Sequence, residues 1–107
     1  MKEMTATEFS TLLLSEAPPV MIDVRESHEL IHGMIEGAIH IPMNEIPSRL
    51  EELGSYQDKT VAIICRSGKR SAQVGQFLEH VGFNDVINLE GGMNSWAVDV
   101  DNSMSTY

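Results

Sequence analysis

At 107 residues, with 42% hydrophobic and 21% charged side chains, the chain has the size and composition of one globular domain with a modest core. A formal net charge of −9 argues against nucleic acid and anionic membrane surfaces as partners. A single cysteine excludes an internal disulfide and fits a reducing compartment. The acidic N-terminus offers no apolar signal region and no stretch is long enough to span a membrane, so the expected location is the cytoplasm.

Thr5 and Glu8 have capping-box spacing, and Phe9, Leu12 and Leu13 give an apolar face, predicting a helix from about Ala6 to Ser15, ended by Ala17-Pro18-Pro19. Val20 to Val24 is almost wholly apolar, as a parallel strand covered on both faces should be. Arg25 to His32 reads as one or two helical turns stopped by Gly33, with Arg25 and Glu29 spaced to pair at i, i+4. Ala38 to Ile41 is a short strand ended by Pro42. Asn44 to Leu53 is a helix with Pro47 in its first turn and Ile46, Leu50 and Leu53 facing inward.

Val61-Ala62-Ile63-Ile64 is a buried strand. Beyond the loop Cys65 to Ser71, Val74, Phe77, Leu78 and Val81 repeat at i, i+3, i+4 and i+7, marking a helix that Gly82 breaks. Val86 to Leu89 is the last strand. Gly91 to Trp96 turns into a short terminal helix, with Trp96 in the core or at its rim. The acidic, polar residues 99–107 are expected to fray, leaving an ordered core of about 4–98. Strands and helices alternate at short spacing throughout. The fold expected is α/β, a three-layer α/β/α sandwich around a parallel sheet of about five strands, in one domain spanning 1–107.

The chemistry concentrates in Cys65-Arg66-Ser67-Gly68-Lys69-Arg70-Ser71, where a strand ends and a helix begins, the position at which open α/β sheets place ligands. Three of the seven cations lie here, in an otherwise acidic protein. Cations and a helix N-terminus favour the thiolate of a cysteine, and successive loop amides can converge into an anion cradle, with Gly68 free to take positive φ. The loop is therefore expected to hold a negatively charged sulfur or an anion beside it, and the partner expected is a small anionic substrate. Asp23 and Arg25, at a neighbouring strand end, are possible supporting residues.

Three stretches resemble one family. Asp23-Val24-Arg25-Glu26, followed by Gly33, Ile35, Gly37-Ala38 and Ile41-Pro42, is similar to the N-terminal signature of the rhodanese domain. Cys65 to Ser71 resembles its active-site loop, and Gly91-Gly92-Met93 with Trp96 its C-terminal signature. The order and spacing fit, and the resemblance covers nearly the whole chain. It implies an α/β/α fold and sulfurtransferase activity through a persulfide on Cys65, with Arg66, Ser67, Gly68, Lys69, Arg70 and Ser71 as the substrate- and persulfide-binding loop. The implied partners are a donor such as thiosulfate and an acceptor that is cyanide or a small-molecule or protein thiol, thioredoxin-like proteins among them. No cofactor or metal is implied. Two positions depart from the pattern: Met34 replaces a histidine found in many relatives, and Glu29 stands where some two-domain relatives carry a cation.

Rival patterns are present. A non-catalytic sulfur carrier or a regulatory binding module could use the same scaffold. Cysteine phosphatases and arsenate reductases use Cys-x5-Arg, whereas Cys65 to Arg70 is Cys-x4-Arg, a smaller loop that suits a single sulfur atom better than a tetrahedral oxyanion. His28-Glu29-Leu30-Ile31-His32 formally matches the zinc-protease pattern H-E-x-x-H, but Gly33 ends the helix at once and no third ligand is spaced to complete it. His40 and His80 read as surface or capping residues.

Overall fold

The computed structural model describes residues 1–107. Five strands form one all-parallel sheet in the order β1-β5-β4-β2-β3: β1 (Lys2–Met4), β2 (Val20–Asp23), β3 (Ile39–His40), β4 (Thr60–Ile64) and β5 (Asp85–Leu89). The helices are α1 (Ala6–Leu13), α2 (Leu50–Leu53), α3 (Lys69–His80) and α4 (Gly92–Asp99). The expected three-layer α/β/α sandwich is the fold observed. No helix is long and apolar enough to cross a membrane.

The period-2 alternation of β4 sorts its side chains into two cores. Val61, Ile63 and Cys65 face α3, packing with Val74, Leu78, Ile46, Leu53 and Val86. Ala62 and Ile64 face the other way, with Ala6 and Phe9 of α1 and Met93 and Trp96 of α4. There Phe9 and Trp96 meet edge to face at 6.0 Å. Cys65 thus inherits its direction from the strand: one residue past β4, it points to the layer from which α3 starts.

Local chemistry explains where elements match and where they differ from expectation. The capping box forms, with the Glu8 amide donating to Thr5 and the Thr5 amide to Glu8, although α1 stops at Leu13. The helix expected over Asn44–Leu53 is broken into 3₁₀ turns at Met43–Glu45 and Pro47–Arg49 before the single turn of α2. Pro47 has no N–H to continue an α-helical ladder, and Ile46 and Arg49 donate to the carbonyls three residues back instead. The turns at Ser27–His32 are likewise 3₁₀. β1 has no counterpart in the sequence reading. Three residues long and mostly exposed at the sheet edge, it shows no periodic pattern, and pairing with Ile87, Asn88 and Leu89 of β5 creates it.

Residues 99–107, expected to fray, lie packed against the body of the fold. Val100 and Asp101 donate to the Trp96 carbonyl, Met104 packs on the α1/α4 core beside Gly33, and Tyr107 is half-buried over the loop that follows β4. The polar composition that suggested a loose tail conceals two anchoring side chains, Met104 and Tyr107.

Candidate active site

Cys65 is free and only 1% exposed. Its Sγ accepts from the Gly68 amide at 3.1 Å and lies 3.2 Å from Ser71 Oγ. Gly68 holds φ at +96°, where an L side chain is strained, and a Cβ there would crowd the Gly91 nitrogen at 3.2 Å. This turn aims the Gly68 amide at the sulfur and starts α3 one residue later.

A polar relay stands behind the thiol. The Ser71 hydroxyl donates to Asn88 Oδ1, while Asn88 Nδ2 donates to the Gly68 carbonyl at 3.1 Å and to Glu3 at 2.8 Å. The Gly68 carbonyl and the Glu3 carboxylate can only accept, so they fix which way the Asn88 amide faces. Asn88 is a buried polar residue on the same face as Val86, and its register beside Ile63 brings it under the loop. From the other side, α4 clamps the loop: Met93 donates to the Cys65 carbonyl at 2.8 Å and Asn94 to that of Arg66 at 3.1 Å. Gly92, at φ +57°, permits this approach, since a Cβ there would run into those same two carbonyls.

The three loop cations differ in kind. Arg70 is committed to Glu29 through a bidentate pair at 2.7 and 2.8 Å. Glu29 also accepts from the Glu26 amide at 2.7 Å and the Tyr107 hydroxyl at 2.9 Å. Chiefly through the Arg70 hydrogen bonds, and against the effect of burial, its carboxyl is held down at about 2. Arg66 and Lys69 are exposed and make no ion pair. The Arg66 guanidinium lies 4.9 Å from the centroid of the Tyr107 ring, and His32 stacks on that ring at 4.1 Å and 9°. Burial pushes the pKa of the Tyr107 hydroxyl above its ordinary value.

Of the residues singled out by sequence, Cys65, Gly68 and Ser71 come together, Arg66 and Lys69 stand exposed beside them, and Ser67 is an exposed turn residue. Asp23 and Arg25 do not reach the thiol. Both are fully buried and pair at 2.8 Å, and the remaining donors of Arg25 go to the carbonyls of Gly33 and Glu29 and to the Tyr107 hydroxyl. They brace the wall on which Glu29 sits. The i, i+4 ion pair of Arg25 with Glu29 does not form, because each carboxylate has a better-placed arginine: Asp23 takes Arg25 and Glu29 takes Arg70. Glu29 of the H-E-x-x-H pattern is therefore occupied, and no cluster of three His, Cys, Asp or Glu side chains is placed to hold a metal ion. His40 is half-buried, its Nε2 at 2.7 Å from the Arg25 carbonyl.

Four participants escaped sequence reading: Glu3, Asn88, the role of Glu29, and Tyr107. A polar residue at an inward position of a buried strand was a usable signal for Asn88. Glu3 and Tyr107 act through contacts about 80 residues away in sequence, and no local pattern announces them.

The family model described as the rhodanese-like domain matches residues 5–99. A sulfurtransferase of Allochromatium vinosum is 37% identical over 95 residues, covering 89% of this chain and 87% of that protein. Among solved structures, SSP1007 from Staphylococcus saprophyticus superimposes with a TM-score of 0.84 at 40% identity, covering 94% of this chain and 97% of its own. A rhodanese-like domain protein from Staphylococcus aureus gives 0.81 at 36% identity, with 100% and 99% covered.

Proposed function

The chain belongs to the rhodanese-like domain family, and from that premise we propose that it moves sulfane sulfur from a small anionic donor such as thiosulfate to a thiol or cyanide, through a persulfide on Cys65. The observation that carries this reading is the setting of Sγ: 3.1 Å from the Gly68 amide and 3.2 Å from Ser71 Oγ, in a loop that also carries the exposed, unpaired Arg66 and Lys69. Family membership and relatives named as sulfurtransferases support transfer of sulfur as the reaction class. The donor, the acceptor and the residue roles are our assignment.

In the first half-reaction the Cys65 thiolate attacks the outer sulfur of thiosulfate. The Sγ–S bond forms, the bond to the sulfonate sulfur breaks, and the electron pair leaves with sulfite. Arg66 and Lys69 attract the dianion and stabilise the departing charge. The product, Cys65–S–S⁻, carries its charge on the outer sulfur, and we assign the stabilisation of that charge to the amides of the turn at Gly68, whose own N–H already donates to Sγ. In the second half-reaction an acceptor thiolate attacks that sulfur, forming a new persulfide and returning the Cys65 thiolate; cyanide attacked in the same way gives thiocyanate. Splitting one transfer into two displacements at a single nucleophile gives ping-pong kinetics. No step requires a metal or an organic cofactor.

A sulfur carrier loaded by another protein is the second reading. The Glu29–Arg70 pair favours keeping it in view, since it leaves two unpaired cations, not three, for a dianionic donor. The same pair weighs against a phosphatase, because Arg70 presents its fork to Glu29 and not to a bound oxyanion. Initial rates with thiosulfate and cyanide decide. We expect parallel double-reciprocal lines and no turnover by Cys65→Ser. A chain that accepts one sulfur and stops would point to the carrier, and unchanged activity in Cys65→Ser would defeat both readings.

A further inference from the structure

The matched family region ends at residue 99, yet the tail beyond it supplies Tyr107 to the rim of the loop. Its placement is over-determined. The ring lies between the His32 imidazole and the Arg66 guanidinium, the hydroxyl donates to Glu29 and accepts from Arg25 at 3.1 Å, and the backbone amide donates to Asn94 at 3.0 Å. Asn94 is itself tied to the Arg66 carbonyl through its own amide. Both the backbone and the side chain of Arg66 are therefore referenced to the same corner of the molecule.

Arg66 has no carboxylate partner, so Tyr107 fixes its side chain without neutralising it. A ring face attracts the flat side of a guanidinium and leaves its in-plane N–H donors free. Arg70 is the reverse case, equally well held but with its charge answered by Glu29. The tail thereby separates the two arginines by role, one structural and one kept available.

We propose that Tyr107 is a positioning residue for the donor half-reaction: its ring holds the Arg66 guanidinium beside the Cys65 loop, so that an anionic sulfur donor meets an oriented cation. The proposal rests on the sulfur-transfer reading above. The attacking acceptor thiolate carries one charge against the two of thiosulfate, and no sulfite departs in its half-reaction, so the effect of Arg66 falls chiefly on the donor half-reaction. The hydroxyl, which points at Glu29 and Arg25, belongs to stability.

The test compares kcat/KM for thiosulfate with kcat/KM for dithiothreitol, a dithiol acceptor that carries a single charge when it attacks as thiolate, in four variants. Tyr107→Leu should lower the thiosulfate value about three- to fivefold and leave the dithiothreitol value within about twofold. Tyr107→Phe, which keeps the ring, should restore the thiosulfate value to within about twofold of the unmodified protein. Arg66→Met should lower the thiosulfate value at least as far as Tyr107→Leu, and adding Tyr107→Leu to it should cost less than about twofold more, since the group being positioned is gone. An equal fall in both half-reactions, a Phe variant as impaired as Leu, or additive losses in the double variant would each overturn the proposal. No transfer by the unmodified protein, or transfer persisting in Cys65→Ser, would instead overturn the Cys65-persulfide reading on which the proposal rests.

Discussion

Glu29→Gln isolates the interaction that ties the wall of the site to α3. The carboxylate receives two hydrogen bonds from Arg70, one from the Glu26 amide and one from Tyr107. Its ionisation moves from an ordinary 4.5 to about 2, chiefly through Arg70. A displacement of that size is worth about 3.4 kcal/mol at most. The Arg70 side chain is 33% exposed, so solvent screens part of it, and about 2 kcal/mol is the better expectation. Glutamine keeps one acceptor and turns an NH₂ toward donors. The loss at pH 7 should therefore approach that full value, or a fall in Tm of roughly 10 °C.

The sign of the pH dependence follows from the lowered pKa of Glu29. The carboxylate stabilises the fold fully above 4.5 and loses its contribution as pH falls through about 2. The gap between the unmodified protein and Glu29→Gln should be widest near neutrality and shrink to about half by pH 3. Urea unfolding followed by circular dichroism at pH 7 and pH 3 measures both. A gap under about 0.5 kcal/mol at pH 7, or one that does not narrow at pH 3, would refute the account of this pair.

Three further outcomes are expected. Arg25→Met should cost about 3–5 kcal/mol in urea unfolding, because it leaves the Asp23 carboxylate, 0% exposed, without its counter-charge; a change under about 1 kcal/mol would show that the pair is not buried in solution. Gly92→Ala should destabilise by at least about 2 kcal/mol and slow transfer, as the new methyl pushes α4 off the Cys65 and Arg66 carbonyls; a variant with unchanged melting and rate would contradict that clamp. Asn88→Ala removes the acceptor of Ser71 and the donor to Gly68, and should cost about 1–3 kcal/mol. Thermal unfolding of that variant should show the loss.

What was legible in the sequence is what local patterns encode. The run Val61–Ile64, the loop and the spacing of Val74 and Leu78 define strand, turn and helix without outside help, and so place Cys65 at a sheet end. The capping box needs only residues three apart. What stayed hidden depends on distant partners. β1 exists because β5 offers it an edge. The spacing of Arg25 and Glu29 suggests a helical pair, but Asp23 and Arg70 are the nearer partners. The polar tail carried no periodic signal, and Tyr107 acquires its place only once His32, Arg66, Arg25 and Glu29 converge. The chemistry could be anticipated from the loop; the wall that shapes it could not.

The most direct measurement is the intact mass of the protein after brief exposure to thiosulfate and removal of the excess, followed by a thiol. The account predicts a gain of one sulfur atom, located on the peptide containing Cys65, absent in Cys65→Ser, and lost when the thiol is added. No gain in the unmodified protein, or a gain that survives in Cys65→Ser, would contradict it.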